Sequence, residues 1–65
     1  MDDFDKEILI SMERNRMMIG KAARELFCHR NTVAYRLRKI KKETGIDPLE
    51  VRGLVALLDR IEGQD

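Results

Sequence analysis

The chain has 65 residues, 43% of them hydrophobic, with 13 Lys/Arg against 12 Asp/Glu and a formal net charge of +1. This suits one folded domain at most, which buries only about 60% of the surface its unfolded chain exposes. A single cysteine, Cys28, excludes an intrachain disulfide, and Cys28 beside the lone His29 cannot close a four-ligand zinc site. No apolar run approaches the roughly 18 residues of a membrane span, and the acidic start "MDDFDKE" lacks the basic opening of a signal peptide. A cytoplasmic protein is therefore expected. So short a chain has little room for a buried active site, so neither an enzyme nor a bound metal or cofactor is expected. A small core is often reinforced by a second copy.

The apolar spacing predicts four helices and no strand, since no period-two alternation is present. The first is expected over about 3–14, with acids at its positive N-terminal end and Phe4, Ile8 and Met12 on one face, Leu9 at its edge and Ile10 outside it. The second is expected over about 18–27, with Ile19, Ala22, Ala23 and Leu26 inward and Met17 and Met18 as core fillers. The third is expected over about 30–44 on a seam of Val33, Leu37 and Ile40, ended by Gly45. The fourth is expected over about 48–61, with Asp47 as N-cap, Pro48 at the first helical position and Glu50 two further on. Its stripe is read as Val51, Leu54, Val55, Leu58 and Ile61, with Leu49 and Leu57 off it. That much apolar surface suggests either a sandwiched helix or a self-association face. The fold class is all-α, a single small four-helix domain.

Charge is unevenly placed. Residues 1–13 hold one lysine against five acids, residues 14–42 hold ten basic residues against Glu25 alone, and residues 43–65 hold two arginines against six acids. The stretch "CHRNTVAYRLRKIKK", Cys28 to Lys42, carries six Lys/Arg and no acid. Such a stripe is the electrostatic footprint of a nucleic-acid binder, although charge runs more often form solvated faces.

Two short helices separated by about "FCH" have helix-turn-helix spacing. Ala23 is small where the second helix crosses the first, and Cys28 is a small residue suited to packing in the turn. With Val33 and Leu37 inside, a helical wheel turns Asn31, Tyr35, Arg38 and Lys42 outward, Thr32 and Lys39 to one shoulder, and Arg30 and Lys41 to the other. A helix rotated from this wheel would half-bury Tyr35. Asn and Arg suit adenine and guanine edges, and the first turn of a recognition helix reaches bases. Arg30, Asn31 and Thr32 hold that place. Arg36, Arg38, Lys39 and Lys42 are better placed for phosphates. His29 is expected to cap this helix or touch a phosphate. No acid follows Cys28 until Glu43, so neither Cys28–His29 nor Thr32 has the partners of a catalytic site.

The run "AARELFCHRNTVAYRLRKIKKETGIDP" resembles the C-terminal helix-turn-helix of the PucR family of bacterial regulators, which includes the sugar-diacid regulators. The matching residues are Ala23, Leu26, His29, Arg30, Asn31, Thr32, Tyr35, Arg36, Leu37, Ile40, Thr44, Gly45 and Ile46, within about residues 17–61. The layout also resembles the DNA-binding half of the Fis nucleoid protein. The resemblance implies sequence-specific binding to double-stranded DNA, usually as a homodimer. Family members usually carry this domain at the end of a much longer chain. The sequence is therefore either a fragment or a stand-alone small regulator, the reading that Met1 and the polar tail "EGQD" make reasonable. Phe27 stands where many helix-turn-helix turns carry Gly, which suggests a turn closed by a side chain packing inward. The alternatives are a small protein-interaction module or antagonist using the apolar last helix, and RNA binding through the same basic face.

Overall fold

The computed structural model describes residues 1–63, which form four helices and no strand. Gln64 and Asp65, the end of the polar tail, lie outside the described residues. α1 spans Asp3–Arg14, α2 Ile19–Glu25, α3 Arg30–Thr44 and α4 Val51–Gly63. α1 is the hub: it packs against each of the other three, α2 packs on α3, and α4 docks on α1 alone among the helices. The core joins Ile8, Leu9 and Met12 of α1, Ala22 and Ala23 of α2, Val33, Leu37 and Ile40 of α3, and Leu54 and Leu57 of α4.

Local chemistry sets the ends. Asp2 caps α1 by accepting the Asp5 N–H at 2.8 Å, with Asp3 and Asp5 in the first turn against the helix dipole. α1 closes with the Met17 N–H on the Met12 carbonyl at 2.6 Å and the Arg16 N–H on the Glu13 carbonyl at 3.2 Å, the pair of bonds of a Schellman motif. Arg16 and Met17 take left-handed φ of 55° and 63°, unfavourable for side-chain-bearing residues, and Met17 is turned onto the core. α2 ends in the same way, with the Cys28 N–H on the Ala23 carbonyl at 3.0 Å and the Phe27 N–H on the Arg24 carbonyl at 3.2 Å. α3 ends at Gly45, whose φ of 75° suits a residue without Cβ.

Several sequence expectations change. α2 is shorter at both ends than expected, because Met18 is extended as its N-cap and Leu26 begins the turn; Met18 is exposed rather than a core filler. Phe27 is 97% exposed instead of packing inward. The left-handed backbone that closes α2 turns its ring to solvent and leaves Cys28 to pack on the core. α4 begins at Val51, not Pro48, because Asp47 closes a turn first: its Oδ1 accepts the Leu49 N–H at 2.9 Å and its carbonyl accepts the Glu50 N–H at 3.2 Å. The Leu54 N–H then reaches the Glu50 carbonyl at 2.8 Å. Gly53 packs on that turn so closely that a Cβ there would overlap the Asp47 carbonyl. The fourth stripe is also rotated. Leu57 is fully buried beside Leu54, with Leu58 and Ile61 at the edge, whereas Val51 and Val55 are exposed at 68% and 51%. A helix docked on one neighbour needs only a narrow seam.

Candidate nucleic-acid interface

α3 is held by its seam of Val33, Leu37 and Ile40, and this fixes which side chains face out. His29 caps it, its Nδ1 accepting the Asn31 N–H at 3.0 Å, which requires that nitrogen to be unprotonated. Arg30, Asn31 and Thr32 follow, all exposed in the first turn. At the mouth of the turn, a shallow groove is lined by Gly20, Ala23, Arg24, Cys28, His29 and Arg30. Arg24 is a contributor that the reading of α3 alone did not include. Further along, Tyr35, Arg38, Lys39 and Lys42 line a second open groove. Tyr35 is 59% exposed and Arg38 and Lys42 are exposed, which settles the wheel in favour of an outward tyrosine.

The basic residues of α3 fall into two groups. Among the described residues, Arg30, Arg38 and Lys42 make no ion pair. Arg36 and Lys39, read from the sequence as phosphate contacts, turn toward α1. Arg36 Nη1 donates to Asp2 Oδ2 at 2.8 Å and to Asp5 Oδ1 at 3.2 Å, and its guanidinium lies 5.0 Å from the centre of the Phe4 ring. Lys39 Nζ lies 3.2 Å from Asp5 Oδ2. That contact lacks hydrogen-bond geometry, so the buried Oδ2 is balanced by charge and not by a hydrogen bond. Lys41 Nζ is 3.5 Å from Asp47 Oδ2 and ties the end of α3 to the turn before α4.

Asp2 is held below the usual carboxylate range, first by the Asp5 backbone N–H and then by Arg36. Arg36 is pushed above the ordinary arginine value, mainly by its hydrogen bond to Asp2. On the other side of α1, Ser11 donates to Glu25 at 2.8 Å and Arg14 pairs with Glu25 at 3.1 Å; the Ser11 bond is the main reason that Glu25 is also lowered. Sequence reasoning missed Asp5 and Ser11 as buried polar residues. The signal was present for Asp5, which falls at helical spacing with Ile8 and Met12 on the inner face.

Two helices meeting at a tight turn, with the second presenting an amide, a tyrosine and cations without ion-pair partners among the described residues, make a helix-turn-helix. The chain belongs to the PucR C-terminal helix-turn-helix domain family, whose model matches residues 7–61. The family is one of DNA-binding regulators. No curated protein and no solved structure gives a match to this chain. Among the described residues no cluster of three metal-ligating side chains occurs, and no helix is long and apolar enough to cross a membrane.

Proposed function

We propose that this domain reads duplex DNA by sequence as a transcriptional regulator in the cytoplasm, with α3 as the recognition helix in the major groove. The observation that carries this reading is the outward face of α3. It combines side chains suited to base edges with cations that no carboxylate of the described residues neutralises. Arg30, Asn31 and Thr32 occupy the first turn, where a docked helix meets base edges, and Tyr35 follows one turn later. His29, Arg38 and Lys42 take phosphates, with Arg36 and Lys39 on the α1 side.

The same reading includes a homodimer. Val51 and Val55 are exposed on α4, outside its buried Leu54 and Leu57, and Arg52 and Asp59 are exposed as well. Across a two-fold axis, two antiparallel α4 helices set Arg52 of one copy opposite Asp59 of the other, around a valine contact. Such a dimer would bind an inverted repeat with half-sites about 34–36 Å apart. Selection from a pool of random duplex DNA at near-physiological salt tests both points. An enriched inverted repeat is the expected result. Binding without enrichment would overturn sequence reading, and an enriched site without symmetry would overturn the dimer.

A further inference from the structure

The α1 edge of α3 already holds an anion. Asp2 places Oδ1 on the Asp5 N–H and Oδ2 on Arg36 Nη1, both at 2.8 Å. A backbone N–H at a helix N-terminus and a guanidinium are also the partners a phosphate takes. The local charges agree. Arg36 and Lys39 face one wholly buried carboxylate, Asp5, which leaves one positive charge over. Asp2 balances it in the free protein. The two acids are not equivalent: Asp5 is 0% exposed and fixed, whereas Asp2 is 55% exposed and joined to the cluster by a surface ion pair. Lys39 belongs to both regions, since it pairs with Asp5 and lines the groove with Tyr35, Arg38 and Lys42. The cluster therefore adjoins the recognition face.

We propose that Asp2 is an internal competitor for a DNA backbone phosphate at Arg36. When DNA docks, a phosphate takes the Arg36 guanidinium and the Asp2 side chain gives it up. The carboxylate thereby weakens backbone binding in general. This inference rests on the reading of α3 as the DNA-binding face.

Asp2→Asn removes the charge and keeps a good capping residue, so α1 retains its start. Its binding to a random duplex is compared with that of wild type and of Asp3→Asn, by fluorescence anisotropy over a salt series. Asp3 is the control because it is exposed in the same turn and, among the described residues, makes no ion pair. Asp2→Asn is expected to tighten binding about three- to fivefold, the most a surface ion pair supports, with the salt slope little changed, because Arg36 meets the phosphate in both proteins. Asp3→Asn is expected to stay within about twofold of wild type, the smaller effect of a charge that holds no cation. In an Arg36→Gln background the gain from Asp2→Asn should vanish. Equal gains from Asp2→Asn and Asp3→Asn would reduce the effect to general charge and overturn the proposal, as would no gain at all. The Asp2–Asp3 comparison stands even if Arg36→Gln does not fold. Wild-type binding without a gain removes this inference alone; absence of any wild-type binding removes the DNA-binding reading with it.

Discussion

α3 has two cationic edges of opposite character. On the α1 side, Arg36 and Lys39 are neutralised by Asp2 and Asp5 and partly withdrawn from solvent. On the open side, Arg30, Arg38 and Lys42 are exposed without partners among the described residues. The sequence writes both edges in the same letters, in one run with no acid. The difference comes from α1, whose N-cap and first turn supply the carboxylates from about 30 residues away, at separations of 31 and 34 positions for the two Arg36 hydrogen bonds. A basic run is thus an inventory of charge, and tertiary packing decides how much of it faces outward.

The sharpest way to break this comparison is Asp5→Ala. It leaves Lys39 beside the core without its carboxylate and Arg36 with Asp2 alone. Breaking a fully buried pair costs about 3–5 kcal/mol. Arg36 and Lys39 keep 27% and 30% of their side-chain surface and can turn toward water, so a loss of about 2 kcal/mol is expected. Urea unfolding measures it. A loss under about 0.5 kcal/mol, the size of an exposed pair, would show that the α1 edge is as loose as the open one.

On the open edge, Asn31→Ala should reduce discrimination between a selected site and random DNA by about 1 kcal/mol or more, the lower end for a bidentate base contact. Lys42→Ala should weaken both DNAs about equally and lower the salt slope by about 1. Competition binding over a salt series separates these outcomes. Equal behaviour of the two variants would erase the division between reading and positioning residues.

Acid addresses the α1 edge without mutation. Asp2 and Glu25 have folded pKa values held below their ordinary ones. Each therefore stabilises the fold fully above the unfolded carboxylate range near 4, and that contribution is lost as pH falls through the folded values. Thermal stability should decline below about pH 4 as these carboxylates take up protons. The decline should be shallower in Asp2→Asn; the same slope in that variant would mean that Asp2 is free in solution.

Helical periodicity carried much of the architecture. The spans of α1 and α3, the seam of Val33, Leu37 and Ile40, and the outward turn of Tyr35 all follow from a 3.6-residue repeat. What escaped was set by contacts between distant segments or by backbone form. Leu57 and Val55 exchanged places because a wheel does not say where the neighbour sits, and among the described helices α4 packs on α1 alone. The late start of α4 came from Asp47 accepting a turn bond before any helical one. At the candidate site, the exposed first turn of α3 was legible from the wheel. The pairing of Arg36 with Asp2 was not, because nothing local to α3 encodes it.

The smallest expected effect lies where the turn delivers α3 to both edges. Phe27 has φ of 55° and a ring that is 97% exposed. A side-chain-bearing residue in that backbone form costs about 1–2 kcal/mol, and glycine would return about 0.5–1 of it through the entropy of the unfolded chain. The exposed ring contributes almost no burial to offset the remainder. The two closing bonds, from the Phe27 and Cys28 N–H groups, use backbone alone and survive the change. Phe27→Gly should therefore raise stability by about 0.5 kcal/mol, read as a higher urea midpoint at unchanged slope. Its DNA affinity should stay within about twofold, because the cap at His29 and the seam of α3 fix the recognition face independently of the ring. A fall in stability would mean that the ring packs against the protein in solution, as the sequence first suggested. A fall in affinity at higher stability would instead place the turn itself on the DNA, and extend the open edge of α3 past its N-terminus.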